Sequence, residues 1–193
     1  MSQVPGGPSL FVTGPCLVYV GYLSSGTYSF LGTAQRPPRV RTRRGWVPVY
    51  NDLGGTQVPF DLLFAGQEAF IIADMNRFKM AVMQAISSMP NTDGIAGLNT
   101  AGDIGTLMQA EGAAFALVLV FPYAVLKPAM RAAGLPGGLT FPCAVLEGPD
   151  DLEVGTVNMK KNLIFHCIPG YNPANGSTTL YINGVPSGLP PAQ

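Results

Sequence analysis

The hydrophobic positions of this chain fall into short runs, and most of those runs have the character of strands. Residues 11–23 (FVTGPCLVYVGYL) are β-branched and aromatic and read as a strand broken at Gly14–Pro15. Residues 28–34 (YSFLGTA) read as a second short strand. From about 33 to 57 the chain reads as a long extended loop. Within it Val40, Thr42, Trp46, Val47 and Val49 lie among charged residues in partial alternation, and Pro37–Pro38 stiffens its start. That pattern fits either a two-stranded arm or an open loop. Residues 50–55 (YNDLGG) carry turn chemistry, because Asn and Asp tolerate turn geometry and Gly supplies positive φ. Residues 57–64 (QVPFDLLF) and 67–73 (QEAFIIA) read as the two strands of a hairpin around Ala65–Gly66.

One segment has the helical period instead. Asp74 suits a helix N-cap, where its carboxylate would accept from the exposed amides of the first turn. Met75, Phe78, Val82, Ala85, Ile86 and Met89 recur at helical spacing, and Arg77, Lys79, Gln84 and Ser87 fall elsewhere on the wheel. Pro90 stops the pattern, which predicts a helix at about 75–88. Residues 91–112 are Gly-rich and read as a loop with one helical turn at 103–109. Strand 113–123 follows, then a short helix within 124–139 interrupted by Pro128, strand 141–146, a turn-like 155–161, and strands 162–168 and 178–182. Residues 1–10 read as an extended arm and 184–193 as a proline-rich tail, both expected to be ordered mainly by other chains. The expectation is a single domain over 1–193, mainly β: a β-sandwich or barrel with one packed α-helix, a long extended loop and extended terminal arms.

Composition then restricts what such a domain can be. Its 24 glycines and 18 prolines suit many short strands joined by turns. It is 47% hydrophobic but only 11% charged, with net charge zero, where an ordinary soluble domain is about a quarter charged. So sparse a charge protects poorly against association, so much of the surface is expected to be covered by partner chains. The longest apolar run, 113–123, falls short of the roughly 20 residues a membrane-spanning helix needs and contains Pro122. The N-terminus has neither the basic nor the long apolar region of a secretory signal.

No catalytic, cofactor or metal site is expected. Cys16, Cys143 and Cys167 form no CxxC and read as reduced, buried core thiols. His166 is the single histidine, set in an apolar strand. It cannot pair with its neighbour Cys167, because adjacent strand residues face opposite ways. It reads as a strand histidine with a structural hydrogen bond. Glu147, Asp150, Asp151 and Glu153 are four carboxylates in seven residues, without the ligand pattern of a calcium loop. The glycine-rich stretches match no phosphate-binding motif.

The concentrated chemistry is basic. Residues 36–46 (RPPRVRTRRGW) hold five of the seven arginines and no acid. A nucleic-acid arm would more often sit in a basic domain with aromatic rings among the arginines, and only Trp46 is near. A basic patch at Arg36, Arg39, Arg41, Arg43, Arg44 and Trp46 and an acidic one at Glu147, Asp150, Asp151 and Glu153 are what a head-to-tail contact between copies would use. A solvated loop and a nucleic-acid contact are the alternatives.

The succession of arm and strand, long extended segment, hairpin running into one helix (QVPFDLLFAGQEAFIIADMNRFKMAVMQAI) and further strands resembles the tail tube (major tail) proteins of tailed bacteriophages. The segments VYNDLGGTQVPFD, GQEAFIIADMNRF and NLIFHCIPGYN carry the likeness, which spans most of the chain as a pattern of architecture. The resemblance implies a non-enzymatic virion protein assembled in the host cytoplasm. It further implies a β-sandwich with one flanking helix and hexameric rings stacked around a channel for genome delivery. Segment 33–57 and the terminal arms would bridge between rings. Its partners would be other copies of itself and other tail or neck proteins. DNA would pass without sequence-specific binding, and no membrane is involved. A capsid decoration (cement) or head-to-tail joining protein is the alternative, and a small-molecule-binding β-barrel or an enzyme the third.

Overall fold

A computed structural model describes residues 16–50, 59–86, 114–121, 137–147, 152–154, 159–172 and 176–191. The fold is mainly β and sandwich-like. Its strands are β1 (Cys16–Tyr22), β2 (Thr27–Ala34), β3 (Arg39–Tyr50), β4 (Pro59–Phe78), β5 (Phe115–Val120), β6 (Gly138–Leu146), β7 (Leu152–Val154), β8 (Met159–Ile168), β9 (Gly170–Asn172), β10 (Ser177–Thr179) and β11 (Ile182–Asn183). One short helix, α1 (Met80–Ile86), follows β4. The sheet runs in the order β11-β6-β5-β1-β2-β4-β8-β7, with β3 added to β4, and β9 and β10 form a separate pair. A β6–β8 ladder, Cys143–Leu146 against Phe165–Ile168, links two distant strands of that path. The sheet therefore wraps around one interior.

That interior is filled from alternate positions. Val18, Val20, Leu31, Ile71, Met75, Phe115, Leu117, Phe141, Leu163 and Phe165 are buried in one cluster. Val82, Met83, Ala85 and Ile86 of α1 close it from one side. A second cluster lies on the opposite face of β1, β2 and β5, around Tyr19, Tyr28, Phe30, Ala116, Val118 and Val120. Because β5 is covered on both faces, FALVLV is a continuous apolar run rather than an alternating one.

The second cluster corrects the expectation for the C-terminal tail. Val185 and Leu189 pack against it, Gly184 N donates to Gly138 O at 3.0 Å, and Thr140 Oγ1 donates to Gly184 O at 3.1 Å. Residues 184–191 are thus held by their own chain. Residues 1–10, the helical turn expected at 103–109, residues 124–136 of the short helix expected within 124–139, and residues 155–158 of the turn expected at 155–161 lie outside the described residues; 138–139 and 159–161 are strand, the starts of β6 and β8.

Two further expectations change at β4. Residues 57–64 and 67–73 are not a hairpin: β4 runs unbroken from Pro59 to Phe78, and its hairpin partner is β3. The break at Ala65–Gly66 is a bulge. Ala65 is the extra residue between the pairs Gly45↔Gly66 and Trp46↔Phe64, and Gly66 has φ of 127°, which glycine adopts freely. The helix also starts later than expected. Met75, Arg77 and Phe78 pair with Ala34, Thr33 and Gly32 of β2, so Asp74 is a strand residue and not an N-cap. Each added ladder pair supplies backbone hydrogen bonds, and Met75 enters the core from the strand. Local helical spacing loses to that pairing until Lys79, whose amide donates to Leu31 O at 2.8 Å. The segment expected as a long loop at 33–57 is the end of β2, a short link and β3, with 51–58 outside the described residues.

The cysteines behave as buried hydrophobes. All three are free and buried. Burial pushes the Cys16 thiol up from its ordinary 9.0 to about 12, against the small opposing pull of its hydrogen bond to Val120. Burial likewise raises Cys143, and raises Cys167 further, with added repulsion from Cys143. Tyr19 and Tyr28 are raised by burial too. In each case the folded state disfavours the anion, so folding is fully supported below the ordinary value and loses support as pH climbs above it. Thermal stability is expected to hold up to about pH 9 and to fall steadily between 9 and 12. A melting temperature unchanged across that interval would show that these thiols ionise as readily in the folded chain as in the unfolded one.

Candidate assembly interface

Beyond its pairing with β8 at Ala69–Met75, β4 continues outward with β3 alone. The two strands form a ribbon that projects from the core, and every residue of β3 is exposed. Directly opposite residues of an antiparallel pair share a face, and faces alternate along each strand. Arg39, Arg41 and Arg43 therefore point to the outer side with Ile72, Phe70 and Glu68. Val40, Thr42 and Arg44 point to the other side with Ile71, Ala69 and Gln67.

The outer side at the ribbon base holds a small polar cluster. His166 Nε2 donates to Glu68 Oε2 at 2.9 Å. The His166 ring stacks on Phe70, with centroids 4.6 Å apart and planes 17° from parallel. Arg43 Nη1 stands 3.7 Å from Glu68 Oε1. The histidine thus makes the structural hydrogen bond expected of it, to a carboxylate the sequence did not single out. The ion pair is largely solvated, with the Arg43 side chain 80% exposed, so it contributes about 0–1 kcal/mol. Together these contacts fix where the ribbon leaves the sheet.

Past the Gly45–Gly66 break the ribbon changes character. Trp46, Val47, Val49, Tyr50, Leu62, Leu63 and Phe64 are each between 43% and 61% exposed. Trp46 and Phe64 meet edge to face, 5.3 Å between centroids. These seven side chains leave roughly 700 Å² of apolar surface open, taking large side chains at about 150–250 Å² each. The largest apolar patch of a typical monomer is about 300–600 Å². This apolar tip, more than the arginines, is the feature that asks for a partner. The run QVPFDLLF reads from sequence as one strand of a hairpin with 67–73, and the strand pattern alone gives no sign that its partner strand stands outside the body.

Among the described residues the two sequence-predicted patches do not meet within one chain. Arg39 pairs with Ile72, Ile72 with Ile164, and Glu147 N donates to Ile164 O. Arg39 and Glu147 therefore lie in one lateral row three strands apart, roughly 14 Å at normal strand spacing. Arg36 is exposed in the link before β3. Glu153 stands opposite Lys160 in the β7–β8 register, while Asp150 and Asp151 lie outside the described residues. Among the described residues Arg43 has an acidic partner, and no ion pair joins Arg36, Arg39, Arg41 or Arg44 to a carboxylate. No group of three His, Cys, Asp or Glu side chains that could hold a metal stands together among the described residues. No helix among them is long and apolar enough to cross a membrane.

No protein-family model matches this chain, and no curated protein does. Among solved structures it is similar to a chain from the tail of an empty GTA particle with C6 symmetry. The two are 12% identical with a TM-score of 0.40, over 85% of this chain and 93% of that one.

Proposed function

We propose that this chain is a structural subunit of a bacteriophage-type tail tube, which polymerises into stacked, six-fold rings around a channel for genome delivery. The observation that carries this reading is the projecting β3–β4 ribbon with its open apolar tip, a surface suited to another chain and unsuited to water. The sequence resemblance supplies the kind of assembly, and the low charge of the chain agrees with large covered interfaces. In this reading the subunit has no catalytic step, belongs to the virion tail, and lets DNA pass without reading its sequence. Electron microscopy of the purified protein tests it. Stacked six-fold rings are expected. Trimers or shell-bound copies would replace it with a cement role, and a monodisperse monomer at high concentration would remove it.

The arginines act in the same contact. Each single exposed pair contributes about 0–1 kcal/mol, but each recurs in every copy. Arginine suits the role because its planar fork grips carboxylates or backbone carbonyls with fixed geometry. Reversing the charge of Arg41, Arg43 and Arg44 together is expected to leave the circular dichroism spectrum and melting temperature in place and to reduce polymerisation. Normal polymerisation, with loss of a salt-sensitive DNA binding that the parent shows, would transfer these residues to a nucleic-acid role.

A further inference from the structure

The ribbon tip carries large apolar side chains on both of its faces, with Asp61 as the one charged residue there among the described residues, and that bears on more than the presence of a partner. Register and alternation put Trp46 and Pro48 with Phe64 and Leu62 on one face, and the Trp46–Phe64 ring contact fits that assignment. The same rule puts Val47 and Val49 with Leu63 on the other, where Asp61 stands opposite Val49 and accepts from the Leu62 amide at 2.7 Å. At the ribbon base the outer face is basic instead, from Arg39, Arg41 and Arg43. The change from basic to apolar on that face comes at the side-chain-free pair Gly45–Gly66. A sheet solvated on one side alternates apolar with polar, whereas a strand covered on both sides reads as a continuous apolar run. The buried β5 of this chain follows the second rule, and so do WVPVY and LLF at the tip. A two-stranded ribbon has no interior of its own to satisfy such a pattern.

We infer that the tip of the β3–β4 ribbon is a tongue enclosed between two further copies of this chain, Trp46, Leu62 and Phe64 facing one and Val47, Val49 and Leu63 the other. The inference rests on the assembly reading above and specifies its geometry. A copy of the same chain is the partner that balances charge. The chain has 11 basic and 11 acidic residues, so the arginine surplus of the ribbon is matched by a carboxylate surplus elsewhere on the same chain. Divided between two faces, the roughly 700 Å² gives each copy about half of the ~800 Å² per partner of a stable interface, so the tongue supplies part of each contact and the rest of the chain the remainder. Contact through the faces is favoured over strand addition at the free edge of β3. Pro48 lacks an N–H there, and the arginines beside it are residues that blunt an edge.

Hydroxyl-radical footprinting of the unmodified protein, as free subunit and as assembled polymer, reads both faces without substitution. Oxidation of Trp46 and Phe64 on one face, and of Leu63 on the other, is expected to be strong in the subunit and lost in the polymer. A second measurement counts the neighbours. A photo-crosslinking residue is placed at Leu62, at Leu63 or at both, and the labelled chain is diluted into a large excess of unmodified chain before assembly. Single labels are expected to give two-chain products and the double label three-chain products. If Leu63 stays as reactive in the polymer as in the subunit, the tongue lies on one neighbour and the inference is overturned while the tube reading stands. If both faces are protected but the double label yields only two-chain products, one copy holds the tongue in a slot and the inference again fails. If the parent protein forms no polymer, the tube reading and the inference fall together.

Discussion

Leu63→Glu is expected to abolish assembly at concentrations where the parent chain polymerises, and to leave the subunit folded. Leu63 is 61% exposed in the subunit, and substitutions at such positions usually change stability by no more than about 0.5 kcal/mol. Once the tip is enclosed, the same carboxylate is desolvated without a partner. An uncompensated buried charge costs about 3–5 kcal/mol. At about 1.4 kcal/mol per tenfold, that raises the concentration needed for a single contact by more than about a hundredfold. Trp46→Ala should weaken assembly in the same direction, because a large aromatic anchored on a second ring is the kind of residue that dominates binding energy. Light scattering or sedimentation across a concentration series checks both, with the melting temperature as the control for folding. A Leu63→Glu chain that polymerises at the parental concentration would show that the tip is not buried in the assembly.

How far the sequence could be read depended on whether the deciding contact was local. The β character, the strands around β1, β2, β5, β6 and β8, and the buried thiols were legible because period, β-branching and turn residues act within a few positions. The start of the helix was not. Met75 and Phe78 satisfy a helical spacing and a strand ladder alike, and the ladder to β2, more than forty residues upstream, decided between them. Ala65–Gly66 carries the chemistry of a turn and of a bulge, and only the pairing partner tells them apart. Val185 and Leu189 look like residues of a free tail until the second face of β1, β2 and β5 is known to need a cover. The arginine segment stood out because charge is rare in this chain. The apolar tip beside it did not, because Leu62, Leu63 and Phe64 have the pattern of core residues. Under the proposed assembly that pattern is satisfied by other copies.

Phe165→Ala is expected to have the opposite signature, a large loss of stability in the subunit itself. Phe165 lies on β8 at 0% exposure, paired with Ile71 of β4 on one side and Leu146 of β6 on the other. Its ring meets Phe115 of β5 edge to face, with centroids 6.1 Å apart and planes at 88°. The residue therefore touches strands from both ends of the sheet path, where the β6–β8 ladder brings them together. Truncating it removes the burial of a ring and leaves a cavity between elements that are hydrogen-bonded in place and cannot collapse into it. Such changes cost about 3–5 kcal/mol, out of a total that for most domains is about 5–15 kcal/mol. For a chain of this size that corresponds to a fall in melting temperature of roughly 6–20 °C. Phe64→Ala removes the same ring at 49% exposure and should leave the melting temperature of the subunit nearly unchanged while weakening assembly. Thermal denaturation of the two variants side by side separates the roles. Equal losses from both would mean that the ribbon is part of the folding core of the subunit and not a surface held out for its neighbours.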